Sequence, residues 1–226
     1  MKICALIPAC NEAATIGEIV RRTKGHVQDV FVIDNGSNDE TAEVARQNGA
    51  RIIPHTNKKG YGAAQYAGHM FAIQNDYEYI LQLDADGQHD PKYIRLLCDT
   101  MQNGDYDIVL GSRFLIDGGN NLSPVRKIGI IFFSRVVSFL GRTTITDVTS
   151  GFKIYKVSSL KLLSKPSDIN PAVEQMMEMA KKGMKIVEVP IEMPSRLNGK
   201  SHLNTIRFAI YPFRGLWAII KVMILR

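Results

Sequence analysis

The feature that most constrains this chain is a rhythm. Five short apolar runs, Ile3–Pro8, Val30–Asp34, Arg51–His55, Tyr79–Asp84 and Asp107–Gly111, read as buried strands. Between them Ala14–Lys24, Glu40–Asn48, Ala63–Asn75 and Pro91–Asn103 carry apolar residues at helical spacing. Strands alternating with helices predict an α/β fold, a mostly parallel sheet covered on both faces. The punctuation agrees. Asp90-Pro91 is an N-cap followed by proline at the first helical position, and Gly49 and Gly104 follow helix ends. A chain of 226 residues buries enough apolar surface to hold such a sheet without disulfides or a structural metal.

Beyond Ser112 the rhythm loosens. Residues 117–127, rich in Gly, Asn, Ser and Pro, read as a long mobile loop, and residues 128–141 as a buried or interfacial helix. A strand at Gly151–Tyr155, a helix at Pro171–Lys182 and a strand at Lys185–Pro190 follow. This divides the chain into an α/β domain over residues 1–203 and a helical tail over 204–226. No uncharged apolar run reaches the ~20 residues that a membrane-spanning helix needs.

The net charge of +6 is confined to residues 193–226. After Glu192 come Arg196, Lys200, Arg207, Arg214, Lys221 and Arg226 with no acid, whereas basic and acidic residues balance before it. The tail wants an anionic partner: a phosphate-bearing ligand, nucleic acid or an anionic membrane surface. Cys4, Cys10 and Cys98, odd in number and without C-x-x-C spacing, read as reduced thiols. The early polar residues of MKICALIPACNEA argue against a secretory signal, so a cytoplasmic protein is expected.

Ligands of open parallel sheets bind at the carboxyl ends of the strands. Polar clusters fall there: residues 8–12 after the first strand, 34–37 after the second and 84–88 after the fourth. Asp34 stands where a ribose-binding acid of a dinucleotide fold would, but the first turn, PACNEAATIG, lacks G-x-G-x-x-G, and no Walker loop is present. Asp84 and Asp86, one residue apart on an extended segment, project to one side and suit Mg²⁺ or Mn²⁺, with Gln88 a third oxygen in reach. Such a segment can also be a mere acidic turn capping the next helix. Its place after an apolar run, beside Gln88 and other acidic loops, favours the metal. Lys58 and Lys59 before Gly60 read equally as phosphate contacts or as a solvated loop.

The segments IPACNEA, VIDNGSNDET, KKGYGAA, LQLDADGQHDP, GSRF, TSGF and VEVPIEMPSRLNGKSH together resemble glycosyltransferase family 2. Within it they are most similar to the polyprenol-phosphate (dolichol-phosphate) mannose synthase type. The resemblance implies a GT-A type domain and an inverting transfer of a hexose from GDP-mannose or a UDP-sugar to dolichyl or undecaprenyl phosphate. It also implies a site. Pro8, Ala9, Glu12, Asp34, Asn35, Asp84 and Ala85, with Lys59, would hold the nucleotide sugar. Asp84, Asp86 and Gln88 would hold the metal. Arg113, Arg126 and Arg196 would grip the acceptor phosphate, Asp86 would serve the leaving group, and Asp147 would lie near the sugar. Asn35 stands where the family carries an acid that meets base or ribose, and His202 where a Lys is common.

A lipid monophosphate is already anionic near neutral pH, with a second pKa of about 6, so its oxygen needs no general base. The alternative is a soluble hydroxyl acceptor with a carboxylate base. Glu174 and Glu178, at i and i+4 on one helical face, are candidates, and their other reading is a solvated face paired with Lys181 or Lys182. A sugar-nucleotide pyrophosphorylase would need a Gly-rich loop after the first strand. A nucleic-acid binder would leave the Asp84, Asp86 and Gln88 set unexplained, so no nucleic acid is expected. His89 reads as a turn residue beside the site. In the tail, Arg207, Arg214 and Lys221 recur every seven residues, within about 40° of one another on a helix. That stripe predicts an interfacial helix holding the protein peripherally on the cytosolic membrane face. Packing on the sheet and a homo-oligomer contact are the other uses of such a helix.

Overall fold

The computed structural model describes residues 2–54, 60–116, 118–119, 121–167, 169–194 and 205–225. The strands are β1 (Ile3–Ala9), β2 (Asp29–Asp34), β3 (Arg51–Pro54), β4 (Tyr79–Gln82), β5 (Ile108–Ser112), β6 (Lys153–Lys156) and β7 (Ile186–Pro190). The helices are α1 (Ala13–Lys24), α2 (Thr41–Gln47), α3 (Tyr61–Gln74), α4 (Ile94–Asn103), α5 (Pro124–Gly141), α6 (Val157–Leu160), α7 (Pro171–Lys181) and α8 (Thr205–Leu225).

The strands form one sheet of order β3-β2-β1-β4-β6-β5-β7. Neighbours are parallel except around β6, which runs antiparallel to both β4 and β5. Alternating side chains build a core on each face. On one, Leu6, Phe31, Ile80, Leu110 and Tyr155 meet residues of α3, α5, α7 and α8. On the other, Ile7, Val32, Leu81, Val109 and Ile154 meet α1, α2 and α4. The mostly parallel α/β sheet expected from the sequence is the one observed. The antiparallel β6 has a consequence for position: its first residue, Lys153, lies opposite Gln82 at the carboxyl end of β4.

Some boundaries differ, for local reasons. Pro91–Tyr93 is a 3₁₀ turn before α4, capped by Asp90, whose side chain accepts from the Lys92 amide. α5 begins at Pro124 rather than Ile128, because Ser123 is extended and Pro124 supplies the pre-set first position. The loop before it is shorter by that turn.

The tail packs on the domain. α8 runs as one helix through Pro212, and its Ala218, Ile219 and Val222 are buried. A Cβ on Gly215 would lie 2.2 Å from the Phe133 ring, so α8 crosses α5 at backbone-to-ring contact. Lys221 Nζ sits 3.1 Å from Glu174 Oε1 on α7, and Lys181 Nζ donates to the Val222 and Met223 carbonyls near the end of α8 at 3.2 and 3.0 Å. Lys221, the last member of the expected basic stripe, therefore turns inward to α7.

Candidate active site

A cavity of about 1060 Å³ opens beyond the carboxyl ends of β1, β2 and β4. Pro8 and Ala9 line it from the end of β1, Glu12 from the loop that follows and Asn35 from the loop after β2. Cross-links hold these loops: the Glu12 amide donates to Thr41 Oγ1 at 2.8 Å, and Thr15 Oγ1 donates to the Ala85 carbonyl at 2.6 Å. Asp34 is not on the wall. Its Oδ1 accepts from the Ser37 amide (3.0 Å) and hydroxyl (2.6 Å), shaping the turn that presents Asn35. Asn35 Oδ1 is buried with no partner among the described residues, an acceptor available to a bound ligand.

Asp84, Ala85, Asp86 and Gln88 follow along the wall. Asp84 is fixed from several sides. Its amide donates to His89 Nδ1 at 2.8 Å, which makes that nitrogen the unprotonated one, and its Oδ1 accepts from the Tyr61 hydroxyl at 2.9 Å. His89 is buried and stacked on Phe152, so it is a brace for the Asp84 loop and not a surface residue. Asp86 is buried, with Oδ1 accepting from the Gln88 amide at 3.0 Å. Gln88 Nε2 donates to the Pro194 carbonyl at 3.1 Å, which leaves Oε1 as the oxygen it can offer. Among the described residues no group of three or more His, Cys, Asp or Glu side chains is arranged to hold a metal.

Beneath the wall lies a polar layer that the sequence reading did not anticipate. Gln82 Oε1 accepts from Gln65 Nε2 at 2.8 Å and meets His69 Nε2 at 3.1 Å, and Gln82 Nε2 donates to the Tyr61 hydroxyl at 3.2 Å. The Tyr155 hydroxyl donates to Gln175 Oε1 on α7 at 2.8 Å. Burial depresses the His69 pKa to about 4, so the ring is neutral at ordinary pH and donates through Nε2. A connected, satisfied network of this kind holds the floor rigid.

The opposite wall comes from α5, α7 and α8, through Arg126, Asn170, Pro171, Ala172 and Arg214. Arg113 and Asp147 are brought together, but with each other. Arg113 Nε and Nη2 donate to the two oxygens of Asp147 at 2.7 and 2.8 Å, and Nη2 donates to Thr149 Oγ1 at 3.1 Å. Asp147 is fully buried and Arg113 is 7% exposed, and neither lines the large cavity. The structure gives each a partner in the other where the sequence reading gave both to substrate. Arg113 borders a small adjoining pocket with Gln88, Asn121 and Met193. Lys59, Arg196, Lys200 and His202, and the side chain of Arg207, lie outside the described residues. Of the wall residues not foreseen, Lys153 had a signal of its own, a lysine inside the apolar run Phe152–Tyr155.

The profile of the family described as Glycosyl transferase family 2 matches residues 4–163. A dolichyl-phosphate hexose transferase of Haloferax volcanii is 31% identical over 218 residues, covering 95% of this chain and 89% of that protein. An undecaprenyl-phosphate mannosyltransferase of Micrococcus luteus is 28% identical over 217 residues, covering 90% and 88%. Among solved structures, glucosyl-3-phosphoglycerate synthase from Mycobacterium tuberculosis with Mn²⁺, UDP and phosphoglyceric acid superposes with a TM-score of 0.78. At 17% identity, covering 100% of this chain and 79% of that one, it speaks for the GT-A type fold alone. With the profile spanning most of the sequence and relatives of similar length matching almost end to end, the chain belongs to glycosyl transferase family 2 and is a glycosyltransferase.

Proposed function

We propose that this enzyme moves a hexose, with inversion, from a nucleotide diphosphate sugar to polyprenyl phosphate at a membrane surface, with a divalent cation at Asp84 and Asp86. The observation that carries the reading is the division of the cavity. Its carboxylates, Glu12, Asp84 and Asp86, stand on the β1 and β4 side, whereas the α5, α7 and α8 wall presents Arg126, Arg214 and the head of α7. Relatives named for transfer to undecaprenyl and dolichyl phosphate support the choice of acceptor.

The donor set fits Mg²⁺ or Mn²⁺, hard cations that use one or two carboxylates and leave positions for substrate phosphates. Gly151 supplies a local fit: its missing side chain leaves the space in which Asp84 Oδ2 sits. When bound, the cation stabilises the departing nucleoside diphosphate as a Lewis acid. The chain's own residues do the rest. Pro8, Ala9, Glu12 and Asn35 hold the nucleoside, with Asp34 setting the Asn35 turn and Lys59 assigned to the donor phosphates from its motif. Ala85 is anchored by Thr15. Arg113 and Asp147 tie β5 to the segment before β6, and Arg126, with Arg196 assigned from its motif, grips the acceptor phosphate by charge-assisted hydrogen bonds.

The two acids considered as the base for a hydroxyl acceptor are engaged elsewhere. Glu174 accepts from the Ser167 amide at 3.1 Å and pairs with Lys221, and Glu178 accepts from the Ser164 amide and hydroxyl, both at 2.9 Å. Both are buried, and neither lines the cavity. A phosphate nucleophile makes no such demand.

Among the described residues no helix is long and apolar enough to cross a membrane. α5 and α8 nonetheless expose Ile128 and Phe139, and Phe213, Trp217 and Ile224. These faces suit a peripheral helix pair lying in the headgroup layer, and the free thiols of Cys4, Cys10 and Cys98 suit the reducing, cytosolic side. Thermal denaturation with UDP or GDP, with and without Mn²⁺, tests the donor half. One nucleotide at about 100 times its Kd should stabilise the protein by about 2.7 kcal/mol. The gain should vanish with chelator or in Asp86→Ala. No stabilisation by either nucleotide would refute the reading.

A further inference from the structure

The donor and metal assignments leave one buried charge without a task. Lys153 is 1% exposed, opens β6 and lines the cavity. Its ammonium has no hydrogen bond or ion pair with another described residue, and the aromatic contact it makes, 5.9 Å to the Tyr155 ring centroid, is a weak one. Burial lowers its pKa to about 8 against the raising influence of Asp147 and Asp84, so near neutral pH it is mostly charged. An ammonium held at a cavity wall without a bonded protein partner is placed to meet an anionic ligand.

What Lys153 faces indicates the use. Lys153 and Tyr155 point to the same side of the sheet, two residues apart. The Tyr155 hydroxyl bonds Gln175, so α7 lies over that side, and the start of α7 reaches the cavity through Asn170, Pro171 and Ala172. Asn170 is 3% exposed. Its Oδ1 accepts from the Val173 amide at 3.4 Å as the helix cap, while its Nδ2 is buried with no partner among the described residues. The start of an α-helix adds partial positive charge directed outward. A lysine that only donates and an amide with an unused donor thus meet at one cavity, next to a helix N-terminus and with Arg214 entering from α8. The matching ligand is an anion with several oxygens.

We propose that Lys153 and the Asn170 amide bind the oxygens of the acceptor's phosphate monoester, forming the floor of the acceptor site beneath Arg126 and Arg214. This rests on the polyprenyl-phosphate reading above. The donor diphosphate is the competing source of phosphate oxygens, and the test separates the two.

Farnesyl phosphate, with farnesol as its uncharged counterpart, is titrated into the full chain by calorimetry, and UDP or GDP with Mn²⁺ is titrated separately. Lys153→Met should weaken farnesyl phosphate binding on the order of 10- to 100-fold, the worth of one charge-assisted hydrogen bond. Nucleotide affinity should stay within about twofold, and the variant should melt at or above the wild-type temperature because an unpaired buried charge is gone. Lys153→Arg should recover part of the loss, and the polyprenyl phosphate KM of Lys153→Met should rise more than kcat falls. Asn170→Asp keeps a capping oxygen for α7 but sets a carboxylate in place of the donor, and it too should weaken farnesyl phosphate selectively. Unchanged farnesyl phosphate binding in both variants would overturn the proposal. So would a loss confined to nucleotide, or a fall in melting temperature that accounts for the whole effect. Wild-type protein that binds farnesyl phosphate no better than farnesol would overturn the polyprenyl-phosphate reading, and this one with it.

Discussion

A Cβ on Gly151 would stand 2.8 Å from Asp84 Oδ2 and 3.0 Å from His89 Cε1. Both neighbours are fixed, Asp84 by Tyr61 and His89 by Phe152, so the added atom has to displace the carboxylate. Gly151→Ala is expected to lower turnover by about tenfold or more, the usual scale for shifting a site group by an ångström, with a melting temperature within a few degrees of wild type. Steady-state rates and thermal melts on the same preparation check this, and undiminished turnover would mean that Asp84 is not a ligand of the reacting complex. At this scale the sequence was legible where motif and chemistry coincide. Asp84, Asp86 and Gln88 were legible as one polar cluster after an apolar run, and the fold brings all three to the cavity wall. The bond between Arg113 and Asp147 was not legible, because it spans 34 positions and only the folded chain brings the two together.

The elements carry a second lesson, most plainly in α8. Its seven-residue basic spacing was visible, but its partner was not. Lys221 pairs with Glu174, 47 positions earlier, and the Gly215 contact with Phe133 fixes which side of the helix turns inward. Docking thereby exposes Phe213, Leu216, Trp217 and Ile220 on the other side. If that face lies on lipid, Phe213→Ser with Trp217→Ser should reduce sedimentation with anionic vesicles at least tenfold, since burying each large apolar side chain is worth roughly 1.5–3 kcal/mol. The fold should survive, because both side chains are more than half exposed. Equal pelleting of variant and wild type would show that the attachment lies elsewhere.

At the scale of the whole molecule, the α/β layering followed from periodicity, because strand and helix periods differ and alternate cleanly through β5. Strand direction after β5 did not follow. Periodicity carries no sign, and β6 enters between β4 and β5 only because it pairs antiparallel with both. That insertion brings Lys153 and Gly151 to the carboxyl ends of β1 and β4, and so assembles one cavity from both halves of the chain. The central claim is that this cavity joins a nucleotide-bound sugar to a lipid phosphate. Its most direct test incubates purified protein with radiolabelled nucleotide sugars, Mn²⁺ and undecaprenyl phosphate, then counts label extracted into organic solvent. The account predicts extractable label matched by released nucleoside diphosphate. It predicts none with undecaprenol in place of the phosphate, with chelator, or with Asp86→Ala. Label transferred instead to a soluble hydroxyl acceptor, or transfer to lipid phosphate undiminished in Asp86→Ala, would contradict it.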